Sequence, residues 1–103
     1  MQKFEINNTV FESIKHIDEN GNEYWYAREL MKALEYGEWR KFMPAINKAK
    51  NACEKSNQKA DNHFVQVAEM INIAKGAKRK ILDYNLSRYA CYLIVQNADS
   101  RKK

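Results

Sequence analysis

A short helix, a glycine turn and a second helix on a new axis can be read from residues 23–42, Glu-Tyr-Trp-Tyr-Ala-Arg-Glu-Leu-Met-Lys-Ala-Leu-Glu-Tyr-Gly-Glu-Trp-Arg-Lys-Phe. Ala27, Leu30, Met31 and Leu34 recur at i, i+3, i+4 and i+7, which places them on one face of a helix over residues 27–35. Gly37 follows, at a point where a helix end favours a left-handed backbone. A second apolar series, Trp39, Phe42, Met43 and Ile46, then begins on another axis. Two helices joined in this way make a helix-turn-helix-like corner. Such a corner can present a helix to a DNA groove, and more often it simply builds core.

The rest of the chain must fit around that corner. With 103 residues, one domain is expected, long enough to form a core without metal or disulfides. The net charge of +5 is uneven: residues 1–35 carry four basic and seven acidic side chains, net −3, whereas residues 36–103 carry fourteen against six, net +8. Clustered positive charge points to an anionic partner, nucleic acid first, against the plainer reading of a solvated lysine-rich surface. Cys53 and Cys91 lie far apart with no CxxC or His-Cys spacing, so neither zinc nor any other metal or cofactor is expected, and two buried free thiols are the simpler reading. No apolar run approaches the ~20 residues needed to cross a bilayer, and residues 1–8 lack a signal-peptide core. A cytoplasmic protein with no membrane partner is expected.

In chain order, residues 1–9 read as loose, with a helical turn over residues 9–13 anchored by Phe11 and Ile14. Residues 14–18 and 23–26 flank Asn20-Gly21, a pair suited to the positive backbone angles of a hairpin turn. Tyr24, Trp25 and Tyr26 read as core and rim packing rather than as base-stacking platforms. The first corner helix lacks a good N-cap residue, since Tyr26 occupies that position, and Arg28, Glu29, Lys32 and Glu35 form its solvated face. The second helix, residues 38–56, contains Pro44, which removes the amide bond to the Arg40 carbonyl; two helices, with Pro44 in the first turn of the second, are expected. Residues 56–60 read as loop, and Asp61 as the cap of a short helix running through residue 67. Residues 69–74 and 79–85 alternate and frame a second hairpin, with Leu82, Tyr84 and Leu86 on one face; a helix over residues 64–75 is the competing reading. Ser87 is a good N-cap for a final, well-buried helix ending near Asn97, after which residues 99–103 read as a polar linker. The fold class is therefore α+β: a small single domain with a helix-turn-helix-like corner, two short β-hairpins and a buried C-terminal helix.

Three groups of cations are the candidate nucleic-acid contacts. Arg40, Lys41 and Lys48 lie on the outer face of the second helix; Lys75, Lys78, Arg79 and Lys80 crowd the tip of the second hairpin around Gly76. Such a tip resembles the wing that touches backbone phosphates beside a recognition helix. Arg88 sits in the first turn of the last helix, where the dipole disfavours a cation, so it either reaches a phosphate or, more often in such a place, pairs with a carboxylate. The expectation is that these side chains gather into one cationic platform that contacts DNA, duplex or single strand. The alternative is a protein-interaction module, with exposed aromatics near Tyr36 or Trp39 as its patch. Catalysis is the weakest reading: His16 and His63 have no neighbouring nucleophile or carboxylate at a telling spacing, and Asp61 with Glu69 lacks a second pair to make a metal site.

Phe11-Glu-Ser-Ile-Lys-His, Tyr24-Trp-Tyr-Ala-Arg-Glu-Leu, Leu34-Glu-Tyr-Gly-Glu-Trp-Arg-Lys-Phe, Lys48-Ala-Lys-Asn-Ala-Cys, His63-Phe, Gly76-Ala-Lys-Arg-Lys and Leu86-Ser-Arg-Tyr-Ala-Cys-Tyr-Leu-Ile-Val-Gln-Asn together carry a family likeness. They resemble the N-terminal part of the DNA-damage-inducible protein D family, a region similar to the BRO-N domain of baculoviral and phage antirepressor-like proteins. The resemblance covers residues 11–103. It implies a small α+β DNA-binding domain, a link to the bacterial DNA-damage response, and a chain that is the N-terminal fragment of a longer protein. It also implies that a repressor or a DNA-repair protein is a partner to consider, and it leaves open a homodimer. One departure stands out: Glu35, in Leu34-Glu-Tyr-Gly, occupies a position where the wider antirepressor pattern commonly has Gly.

Overall fold

The computed structural model describes residues 8–98. The sequence expectations for residues 1–7 and 99–103 lie outside the described residues. The elements run α1 (Asn8–Ser13), β1 (His16–Ile17), β2 (Glu23–Tyr26), α2 (Ala27–Ala33), α3 (Trp39–Lys55), α4 (Ala60–His63), β3 (Phe64–Asn72), β4 (Lys78–Leu86) and α5 (Arg88–Asn97). The fold is α+β, with an antiparallel sheet in the order β1-β2-β4-β3.

Apolar periodicity explains which faces meet. Along α3, Phe42, Ala45, Ile46, Ala49 and Cys53 are all buried, and this stripe packs against α5 through Ala90, Cys91 and Ile94. The sheet closes the same core with Trp25, Phe64, Tyr84 and Leu86. Trp25 is fully buried; its indole N–H donates to the Phe11 carbonyl at 2.9 Å and its ring stacks on Phe11 at 4.5 Å between centroids. Trp25 is thus a core packing group, and Tyr24 and Tyr26 are part-buried. Ser87 caps α5 by accepting the Ala90 amide at 3.0 Å.

Four local expectations need correction. The first hairpin turns with only Gly21 at positive φ (+86°), not the Asn20-Gly21 pair. Asp18 makes the difference, because its Oδ1 accepts the amides of Asn20 and Asn22 at 2.8 and 2.9 Å and holds the loop in a wider turn.

The left-handed residue after α2 is Glu35 (φ +67°), and Gly37 is not in that region. The Glu35 amide bonds the Lys32 carbonyl and the Tyr36 amide the Met31 carbonyl, each at 3.0 Å. That is the Schellman arrangement, and its left-handed position is fixed by where α2 ends rather than by where a glycine is available.

α3 is one helix through Pro44, not two. The single lost amide bond falls on the carbonyl of Arg40, whose exposed position lets water replace it, while the unbroken stripe from Phe42 to Cys53 rewards continuity.

The helix expected from Asp61 through residue 67 stops at His63, and Asp61 lies inside α4 rather than capping it. The hairpin is correspondingly long: nine residue pairs run from Phe64↔Leu86 to Asn72↔Lys78. A short helix is costly to nucleate, whereas β4 offers this segment a backbone partner at every residue.

Candidate nucleic-acid interface

β2 pairs with β4 only at Trp25↔Leu86 and Tyr26↔Asn85. Beyond that point β3 and β4 continue as a two-stranded ribbon, hereafter the arm. At its tip Lys75 (φ +54°) and Gly76 (φ +78°) supply the two consecutive positive backbone angles of a tight hairpin turn. The turn is closed by Ala77 N–H to the Ala74 carbonyl at 2.9 Å and Ile73 N–H to the Ala77 carbonyl at 3.0 Å.

Lys75, Lys78, Arg79 and Lys80 are all exposed here, and among the described residues none of them forms an ion pair. Strand alternation divides them. Lys78 and Lys80 share the face of Leu82, Tyr84 and Leu86, while Arg79, opposite Ile71, points to the other side.

Lys50 of α3 joins the first group: its Nζ lies 4.6 Å above the Tyr84 ring and donates to the Tyr84 hydroxyl at 3.0 Å. The partner that directs Lys50 to this side, Tyr84, is remote in sequence.

The outer face of α3 is a separate surface. Lys41, Lys48 and Lys55 recur every seven residues, so they form a row, and helical geometry places Lys48 about 160° around the axis from Lys50. Glu38 sits at the head of that row, with Oε1 2.9 Å from Arg40 Nε and Oε2 3.7 Å from Lys41 Nζ. The Arg40 hydrogen bond, with the charge of Lys41, holds the Glu38 carboxyl below its ordinary range. Arg40 and Lys41 therefore carry a local counter-charge; Lys48 does not show one among the described residues.

Arg88 belongs to neither group. Its guanidinium makes a two-point bond to Glu23, Nε to Oε2 and Nη2 to Oε1, both 2.8 Å, and a third contact to Glu12 at 3.1 Å. It lies over Trp25 and Phe11, 5.1 and 5.6 Å from the ring centroids. Hydrogen bonding to Arg88 is the main reason both carboxyls sit below their ordinary range. Carboxylate pairing, the structural alternative for Arg88, is what the fold uses. The expected single platform is thus three separate groups: the arm with Lys50, the α3 row, and Arg88 within an acidic cluster. Charge counting could not separate them because strand alternation and helix rotation decide which way each side chain leaves the fold.

Two further residues, neither of them a candidate contact from the sequence, anchor the arm. Asp83 is 1% exposed, and its Oδ1 accepts the Tyr84 amide at 2.8 Å and the Arg28 amide at 3.0 Å. Since Tyr26 gives α2 no side-chain cap, this strand carboxylate takes the role from across the fold. Arg28, expected on a solvated face, instead packs over Trp39 at 4.2 Å and donates Nε to the Leu82 carbonyl at 2.7 Å. Trp39 and the buried Tyr36 pack on the core, so the aromatic patch expected there is absent; the exposed apolar side chains of the arm are Met70, Ile71 and Ile73.

Elsewhere His63 Nδ1 and Ser87 Oγ are 2.7 Å apart at the head of α5, with the His63 ring edge-on to Tyr89, which gives His63 a packing and capping role. Cys53 and Cys91 are buried, and burial pushes both thiols up. Among the described residues no group of three or more His, Cys, Asp or Glu could hold a metal, and no helix is long and apolar enough to cross a membrane.

The family model "BRO family, N-terminal domain" matches residues 13–103. The chain belongs to the BRO-N family. Within that family likeness, it is 51% identical over 92 residues to DNA damage-inducible protein D of Escherichia coli (strain K12), an alignment covering 89% of this chain and 34% of that protein. This BRO-N chain therefore spans about a third of the length of the curated relative it matches. No solved structure matches it.

Proposed function

We propose that this BRO-N domain is a non-catalytic DNA-binding module of a bacterial DNA-damage-response protein, and that its arm grips the phosphate backbone. The observation that carries the reading is the arm itself: four exposed cations, Lys75, Lys78, Arg79 and Lys80, on a projecting two-stranded ribbon without a counter-charge among the described residues. A ribbon of this kind fits a DNA groove, and lysines at its tip are positioning contacts rather than base readers. Lys48 and the Glu38-paired Arg40 and Lys41 are a second, separate candidate contact on α3. The damage-response assignment rests on the name of the E. coli relative.

The test is a salt titration of duplex binding by fluorescence anisotropy. Replacing Lys78, Arg79 and Lys80 by Gln should weaken binding and flatten the plot of log affinity against log salt by roughly 0.9 per lost duplex contact. Unchanged affinity and slope would overturn the arm as the contact. A second reading, a protein partner such as a repressor or repair protein, draws on the exposed Met70, Ile71 and Ile73. It predicts capture of a defined partner from DNase-treated lysate, lost when Met70 and Ile73 become Ser.

A further inference from the structure

Opposite the face that carries Lys78 and Lys80, a cavity of about 480 Å³ opens between α2 and the root of the arm. Tyr26, Arg28, Met31, Glu69, Ile81 and Asp83 help to line it. Glu69 pairs with Ile81 and Asp83 with Val67, so the two carboxyls are diagonal neighbours on one sheet face, within reach of each other. Asp83 Oδ1 is fully occupied by two amides, while Oδ2 is buried with no hydrogen-bond donor from any group in its usual charge state. A buried acceptor of this kind calls for a donor, and a protonated Glu69 is one.

We propose that a proton carried by Glu69 is a latch fastening β3 to the Asp83 carboxylate of β4, the residue that caps α2. With the proton in place, Glu69 donates to Asp83 Oδ2 while Asp83 Oδ1 keeps its bond to the first turn of α2. Without it, two like charges meet beside a mostly buried oxygen. Asp83 is held by its amide bonds, so Glu69 is the side chain that turns out to solvent, and β3 loses its side-chain tie to β4. A two-stranded ribbon is marginally stable alone, so the part of the arm beyond the Arg28–Leu82 and Arg28–Asp83 anchors loosens.

The groups around the pair set when this happens. From α2 come Arg28, Glu29 and Lys32, from β2 Tyr26, and from β4, further out, Arg79. Arg28 favours a charged Glu69 and Glu29 opposes it, with Glu29 itself 2.7 Å from His16 Nε2. Hydrogen bonding with Asp83, then burial, then repulsion from Asp83 outweigh Arg28 and push the Glu69 carboxyl up to about 7. An acid whose folded value is raised keeps its proton on the acidic side and gives it up as pH rises through that value, so the latch opens above about 7. Resting on the DNA-binding reading, the consequence is regulatory: a loosened arm must be ordered again to bind, and an added negative charge beside Arg79 weakens the local field.

The experiment compares the 103-residue chain with its E69Q variant, a neutral isostere. Carboxyl carbon chemical shifts of the unmodified protein should show Glu69 titrating near neutrality; titration in the ordinary carboxylate range overturns the latch. Hydrogen-exchange protection of amides 69–82, corrected for intrinsic rates, should fall between pH 6 and 8 in the unmodified protein and stay level in E69Q. Equal pH dependence in both overturns the latch. Duplex affinity should fall several-fold over the same range in the unmodified protein and less in E69Q, a comparison that isolates the contribution of Glu69. If protection falls as described and neither protein binds duplex at any pH, the latch stands and the DNA-binding reading falls.

Discussion

Asp83 Oδ1 accepts the backbone amide of Arg28 at 3.0 Å, so a strand residue 55 positions away caps the first turn of α2. The same oxygen accepts the Tyr84 amide, and one carboxylate thereby joins α2, β4 and the root of the arm. Asp83→Ala would leave two amides without their acceptor in a site that is 1% exposed. A loss of roughly 2–3 kcal/mol in urea unfolding is expected, with the Arg28 amide losing exchange protection first. Full retention of stability would show that α2 does not depend on this cap.

Glu35 holds a left-handed backbone at φ +67° that glycine would adopt without penalty. Its side chain is exposed, so little packing is at stake. Glu35→Gly should stabilise the fold by about 0.5–1 kcal/mol, the relief of left-handed strain less the greater freedom of glycine in the unfolded chain. The check is a rise in the thermal midpoint; a fall would mean that the Glu35 side chain contributes more than its exposure implies.

Glu38 neutralises Arg40 and Lys41 at the head of the α3 row. Glu38→Gln releases both cations, and if α3 lies against phosphates, duplex affinity should increase and the salt plot steepen by up to about 0.9 per added contact. The measurement is the same anisotropy titration. No change in slope would confine the interface to the arm.

Arg88 tests the division between structural and binding cations. Arg88→Lys cannot reproduce the two-point bond to Glu23, so stability should fall, whereas duplex affinity of the folded protein should not change. The acid limb of stability should follow the same cluster. Glu12 and Glu23 are held below the ordinary carboxylate value of 4.5, so their contribution is present above that pH and is lost as pH falls through their lowered values. Glu23→Gln should therefore flatten the acid limb of a denaturation-midpoint profile.

Local signals in the chain were enough for much of this architecture. The apolar stripe from Phe42 to Cys53, the Ser87 cap and the turn residue Gly76 each act within a few positions, so the sequence by itself determined where helical faces turn to the core, the start of α5, the second hairpin's tip and the α+β class. Its crowding of cations at residues 75–80 likewise located the arm's tip. What only the tertiary structure decided involves residues brought together from afar. Asp83 reads locally as one polar position in an alternating strand, and nothing near it announces that α2 lacks a cap. Arg88 is a misplaced cation until Glu12 and Glu23 close around it. β3 is ambiguous between helix and strand until β4 offers it nine backbone partners. The separation of Lys50 from Lys48 follows from the contact of one helix flank with Tyr84. Propensity is summed along a few residues, whereas register, burial and counter-charge are set by which distant surfaces meet, and those decide where each charge ends up.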